Sequence, residues 1–351
     1  MTSSVSGPHV RRSLDLGETW GPVGSGPGFR SGEERPTVER IWTLHRRAGS
    51  DDLVAGLAQA GLFRWDDWAL TRREYTSITD HPPKAGWLDG FGGLCLDSDL
   101  SHRLRPGRIT IGIPSVGTLR SDSDGVTRNL KNQGVSAVIE AEEPKYSELN
   151  RYVHRLVLDP NGPDPLYQQN HTGVYRSFDA GGNRRRIETG LPSRCGFGMT
   201  ALERSPSTLF VVPLTSDEIR IPVDGRPWAY QPQNYGDSWE ASGEGLPTSN
   251  YGAVLRDALT AGIGDASSVY FGTKSGERFA TRDAGDSWRR LPGDSLRARL
   301  RLSDGDGQGV DPRAIAGFRQ GRRGVLGDRY HGPSRPRRRR AAPSLAANPP
   351  G

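Results

Sequence analysis

The sequence predicts an all-β chain folded as a β-propeller, and three observations carry that expectation. One eight-residue motif recurs six times along the chain at nearly even spacing. Short runs rich in β-branched and aromatic residues lie just upstream of it. The chain also has 46 Gly and 26 Pro among 351 residues and no long apolar stretch of 3.6-residue period, which argues against a helical solenoid. A repeat of about 50 residues holding several short strands fits a propeller blade.

The copies, in chain order, begin at residues 13, 65, 121, 177, 232 and 281, with gaps of 52, 56, 56, 55 and 49. The first is clean, from Ser13 through Asp15, Gly17 and Thr19 to Trp20. The second, around Trp65 and Asp67, is barely legible. The third has Ser121, Ser123, Gly125 and Thr127 but ends on Arg128. The fourth has Ser177, Asp179 and Gly181, with Arg184 where Trp is expected. The fifth runs from Pro232 through Asn234, Gly236 and Ser238 to Trp239. The last, from Thr281 through Asp283, Gly285 and Ser287 to Trp288, is again clean. Asp or Asn is expected to accept from backbone N–H groups two residues on, Gly to supply a left-handed turn, and Trp to anchor the hairpin. Strand-like runs precede three copies in one register, at 61–64, 117–120 and 173–176, each opening on Gly and ending on Arg. Further runs at 108–111, 208–212 and 268–271 read as neighbouring strands. Gly134, Gly190 and Gly245 each fall 13 residues after a motif start, a shared offset that chance does not supply.

The motif is similar to the Asp-box, or bacterial-neuraminidase (BNR) repeat, of sialidases and sortilin-type propellers. The stretch 38–291 resembles bacterial BNR-repeat proteins of glycosyl-hydrolase type. The matching segments are 37–42, 92–96 and 166–171, with 212–214, 216–218 and 254–257 adding to them. In such families the box joins the two outer strands of a blade and lies on the rim, away from the active site. The resemblance therefore implies a fold more than an activity. It gives six recognisable repeats, or seven blades in an intact parent. The first box starts at residue 13, so the inner strands of that first blade are missing.

Composition splits the chain. Residues 293–351 carry thirteen Arg and five Asp with no Lys or Glu, so the formal net charge of +6 belongs to this tail and the body stands at −2. The tail lacks alternation and turn logic and ends in an Arg-rich run, Arg335 to Arg340. It reads either as a basic arm for nucleic acid or as an extension outside the selected frame. The body has no aromatics interleaved with basic residues, which disfavours nucleic acid. The division is thus a propeller over 1–292 and a disordered Arg-rich tail over 293–351. Cys95 and Cys195 have no metal-ligand spacing, so neither metal nor cofactor is expected. The N-terminus has no apolar signal core and no run could span a membrane, which gives a cytoplasmic expectation.

The candidate site residues stand where predicted strands end. Gln168, Gln169, Asn170 and His171 follow one strand, and Glu39–Arg40, Asp217–Glu218 and Arg256–Asp257 hold comparable places in other repeats. In a propeller such loops ring a central mouth. The side-chain groups after the strand are expected to stay available to a small or carbohydrate-like ligand, with charge of both signs converging. The opposing reading is that these groups pair with one another and satisfy turns. A lone His171 reads as a hydrogen-bonded structural residue, and Cys95 as a core thiol. Sialidase chemistry needs three Arg, a Tyr–Glu pair and an Asp acid. The Arg-Ile-Pro element at Arg220 lies after the fourth repeat start, on a loop entering the fifth box, and not before the first box as in sialidases. The leading function is therefore a non-catalytic or degenerate propeller that binds a ligand at its mouth. The alternative is a sialidase-like glycoside hydrolase.

Overall fold

The computed structural model describes residues 2–293, apart from 5–6, 16, 23–25, 30–37, 67–70, 90–92, 138–148, 150, 205–207, 234–235 and 263–265. Asp67, Asn234 and the tail from 294 onward lie outside the described residues.

Two short hairpins open the chain: β1 (Thr2–Ser4) with β2 (Gly7–His9), and β3 (Arg11–Arg12) with β4 (Gly21–Pro22). Five four-stranded antiparallel blades follow. Blade 1 is β5 (Ile41–Arg46), β6 (Leu53–Leu57), β7 (Gly61–Asp66) and β8 (Thr71–Glu74). Blade 2 is β9 (Ser98–His102), β10 (Arg105–Ile113), β11 (Gly117–Ser121) and β12 (Asn129–Leu130). Blade 3 is β13 (Val153–Leu158), β14 (Leu166–Asn170), β15 (Val174–Ser177) and β16 (Arg185–Arg186). Blade 4 is β17 (Gly196–Leu202), β18 (Thr208–Pro213), β19 (Ala229–Gln233) and β20 (Ser238–Ser242). Blade 5 is β21 (Leu259–Ala261), β22 (Val269–Gly272), β23 (Arg278–Thr281) and β24 (Arg289–Arg290).

The fold is thus a five-bladed β-propeller, and the expected count of six or seven is corrected. The difference is the first motif. It closes the β3–β4 hairpin, with no inner strands beside it among the described residues. That hairpin region packs on blade 1 instead, where Val10, Phe29 and Val38 join Phe63 and Trp65. Trp65 is itself a buried strand residue, which explains why the second copy was barely legible.

First strands pack on first strands (β9 on β13, β13 on β17, β17 on β21), which makes them the innermost. Side chains tie them: Leu156 N donates to Ser98 Oγ at 3.1 Å, and Ala261 N to Thr200 Oγ1 at 3.0 Å. Apolar clusters fill the interfaces, with Ile109, Ile111 and Leu119 meeting Val54 and Leu62 between blades 1 and 2. Phe210, Phe271, Phe279 and Trp288 do the same between blades 4 and 5. Burial of this kind stabilises by roughly 25 cal/mol per Å² of apolar surface.

The third, fourth and last motifs close the turn between the third and fourth strands of a blade, as the first closes the β3–β4 turn, but their side chains act differently from the sequence expectation. The bond across two residues belongs to Ser or Thr: Asp179 N donates to Ser177 Oγ at 3.2 Å, and Gly181 N donates to the same oxygen at 2.8 Å. The Asp accepts from four residues on, with Asn183 N at 2.8 Å from Asp179 Oδ1. Asp15 and Asp283 accept from Thr19 N and Ser287 N, each at 2.9 Å. Hydroxyl bonds, from Ser13 and Thr19 to Asp15 and from Ser287 and Thr281 to Asp283, together with these backbone bonds hold both carboxyls at about 2. At Asp179 desolvation raises the carboxyl, but the bonds from Ser177 and Asn183 outweigh it and hold it at about 2. Ser123 replaces the Asp with a single oxygen, which accepts Thr127 N at 3.0 Å.

The Arg-for-Trp exchanges keep the turn's chemistry. Trp20 Nε1 donates to the box carbonyl Gly17 O at 3.0 Å, and Arg184 Nη1 donates to the matching Gly181 O at 3.1 Å. In the third copy Ser77 Oγ bonds Gly125 O and receives Arg128 Nε at 3.2 Å. In the last, Ser242 Oγ bonds Gly285 O and receives Trp288 Nε1 at 3.1 Å. Both Arg side chains are buried, and desolvation lowers them to about 10.

The offset glycines explain the period. In the fourth, fifth and last copies the eighth residue donates its N–H to the preceding blade: Arg184 to Gln133 O at 3.0 Å, Trp239 to Thr189 O at 2.8 Å and Trp288 to Glu244 O at 2.8 Å. Each acceptor precedes a left-handed glycine, Gly134 (φ 84°), Gly190 (φ 90°) or Gly245 (φ 80°). A Cβ there would overlap the carbonyl oxygen of the donating residue. Only glycine offers both the φ and the close approach.

Candidate ligand site at the axial mouth

The starts of the inner strands are irregular in every blade except blade 2. Pairing of β5 with β6 slips between Ile41 and Thr43, of β13 with β14 between Val153 and Arg155, and of β17 with β18 between Gly196 and Met199. Each slip is a bulge, and the extra residue is Trp42 in blade 1, His154 in blade 3, and one of Phe197 and Gly198 in blade 4. A bulge re-aims a side chain and strengthens local twist. Tyr152, just before β13, and Arg256, just before β21, adopt left-handed backbone at φ 43° and 44°. Non-glycine residues there carry strain that surrounding structure must hold in place.

These residues converge. The Arg256 guanidinium lies 5.2 Å from the Trp42 ring and 5.7 Å from the Phe197 ring, and forms an ion pair with Asp97. Asp97 precedes β9, so residues of blades 1, 2, 4 and 5 meet at one cation. The next residue, Asp257, pairs with Arg155 of β13, which adds blade 3. Arg40 lies 5.9 Å from the other ring contact, Trp42, and Arg220 lies 5.0 Å from Phe197. Burial of the Asp97 carboxylate is nearly complete at 1%, whereas the Arg256 side chain is 25% exposed.

Beside the cation stands an aromatic stack. His154 lies on Phe197 with ring centroids 3.8 Å apart and donates from Nδ1 to Gly196 O at 2.8 Å. His171 meets the edge of His154 at 4.3 Å and stacks on Tyr152 at 5.2 Å. Asp217 Oδ2 lies 3.4 Å from His171 Nδ1. Burial pushes His154 well below the usual histidine range. Burial also lowers His171, against the opposing pull of Asp217. Desolvation raises both thiols, Cys195 up to about 12, so both are inert core groups.

The sequence-predicted residues divide. His171, Asp217, Arg256 and Asp257 are brought together at the mouth, with Arg40 at its edge and Glu39 and Glu218 exposed. Gln168, Gln169 and Asn170 are buried, and their expected availability is corrected. Gln169 Nε2 donates to Asn170 O at 3.0 Å and Arg194 O at 2.9 Å. Asn170 donates to Arg151 O at 3.0 Å and accepts Thr172 N at 2.9 Å. Thr118 Oγ1 donates to Gln168 Oε1 at 3.2 Å across the blade 2–3 interface. Main-chain groups inside a closely packed sheet must be paired, and the Gln169 and Asn170 amides do it.

Sequence reasoning missed Trp42, Asp97, Tyr152, His154 and Phe197. A signal existed: Trp42, Asp97, His154 and Arg256 lie 23, 24, 23 and 25 residues before their motif starts. Blade 4 breaks the offset because a long loop separates β18 from β19. That loop carries Arg220 back to Phe197.

No protein-family model matches the chain, and no curated protein matches it. Among solved structures it is similar to an ancestral GH74 enzyme at a TM-score of 0.55 and 14% identity, covering 77% of this chain and 33% of that one. It is also similar to the GH74 enzyme of Niastella koreensis at a TM-score of 0.50 and 14% identity, covering 71% and 38%. The chain spans between a third and two fifths of the length of these relatives. At such identity the likeness is one of fold.

Proposed function

We propose that the chain is a non-catalytic binding propeller of Asp-box type that takes a small or carbohydrate-like ligand at the axial mouth. The observation that supports this reading is the concentration of backbone irregularity, three bulges and two left-handed residues, at one end of the inner strands. Tyr152 and the half-exposed Asp217 edge the site, with Arg220 and Arg256 bringing donors, a mix of apolar faces and polar groups suited to sugar-like ligands. Glycoside hydrolysis is the alternative, since the two relatives above are GH74 enzymes. Against it, Asp97 and Asp257 each already face a guanidinium, whereas a glycosidase acid must hand a proton to the leaving oxygen.

A glycan and metabolite screen by calorimetry on the purified protein tests the reading. Removing a ligand-facing hydrogen-bond partner costs about 1–3 kcal/mol, so His171→Ala and Asp217→Ala are expected to weaken a bound ligand roughly five- to 150-fold. Asp283→Ala is expected to lower stability and leave affinity unchanged. Release of reducing sugar from a bound glycan would replace binding by hydrolysis. Affinity lost only at Asp283 would move the site to the rim.

A further inference from the structure

We propose that Trp42, Phe197 and Asp97 form a guanidinium cage at the axis, and that Arg256 is its tethered occupant, displaceable by an arginine side chain of a partner polypeptide. This goes beyond the ligand reading above and does not depend on it. A planar guanidinium can stack on aromatic faces while its edge pairs with a carboxylate, which an ammonium cannot do as well. The mouth offers that combination: two rings at 5.2 and 5.7 Å and a buried carboxylate. A buried carboxylate without a counter-charge is costly, so a cation belongs there whatever its source.

Three features mark Arg256 as a replaceable occupant. Its backbone is left-handed, at φ 44°, so it fills the cage from a strained turn. Its side chain is a quarter exposed, which leaves an edge open to exchange. Its neighbour Asp257 is held separately by Arg155, so the turn keeps an anchor when Arg256 swings away.

The test is titration of the full chain with N-acetyl-arginine amide and with N-acetyl-citrulline amide, its neutral isostere, followed by NMR. The charged analogue is expected to bind at least tenfold more tightly. Arg256→Gly, which suits the left-handed turn, removes the tethered competitor and is expected to raise that affinity at least a further tenfold. Equal binding of the two analogues, binding of neither, or an affinity unchanged in Arg256→Gly would each overturn the proposal. Should Arg256→Gly not fold, Asp97→Asn decides: it is expected to erase the preference for the charged analogue, and a preference that survives refutes the cage.

Discussion

The rim and the mouth of this propeller are built by opposite means. At the rim one hydrogen-bonded turn recurs, and three of its copies are pinned to the preceding blade through a left-handed glycine. At the mouth the residues near the starts of the inner strands differ from blade to blade, and Trp42, Asp97, His154, Phe197 and Arg256 meet one another there. A repeat can tolerate divergence where its neighbours are different blades' side chains. It cannot where its partner is the main chain of the next copy. Arg184 shows how narrow the rim's tolerance is: the exchange for Trp survives because a guanidinium N–H reaches the same glycine carbonyl that an indole N–H reaches.

The largest expected effect lies in the rim joint. Gly245→Ala forces a side chain into a left-handed turn against the Trp288 carbonyl and is expected to destabilise by about 3 kcal/mol or more, read by urea denaturation. Gly107→Ala, with open space around it and ordinary backbone, is the control and is expected to be near neutral. Equal losses in the two would end the claim that the joint sets the blade period.

Next comes the box anchor. Arg184→Ala loses a buried side chain with its bonds to Gly181 O and Lys131 O, and a loss of about 2–3 kcal/mol is expected. Arg184→Trp is expected to restore most of it. If Trp proves no better than Ala, the two residues do not share a role.

Acid titration separates the two regions by pH. The histidines at the mouth are lowered by burial, so the folded state binds fewer protons than the unfolded one, and stability falls as pH drops below 6.5. The rim carboxyls are lowered from 3.8 to about 2, so their support is present above 3.8 and lost as pH falls towards 2. Melting temperature against pH is therefore expected to step twice. His154→Phe, which keeps the stack on Phe197, is expected to shrink the first step alone, and Asp283→Asn the second. A single step insensitive to both would erase the distinction.

The smallest effect concerns the buried amide. Gln168→Met removes one interblade hydrogen bond at similar volume and is expected to cost about 1 kcal/mol without changing mouth affinity. A larger change in affinity than in stability would draw β14 into the site.

The β class, the motif positions and the 13-residue glycine offset are legible in the sequence alone, because they rest on short-range hydrogen bonds and on φ values that only certain residues adopt. The sequence also placed His171, Asp217, Arg256 and Asp257 near strand ends. It overcounted blades, since a motif marks an outer turn whether or not inner strands exist, as the β3–β4 hairpin shows. That Asn170 and Gln169 serve the main chain shows up only in the folded molecule, because their acceptors come from Arg151 and Arg194, far along the chain. Folding alone brought Asp97 to Arg256 and Phe197 to His154. Such pairings depend on how far each inner strand slides at its bulge and on how the blades turn about the axis. Both are set by packing between segments distant in sequence, which no local pattern records.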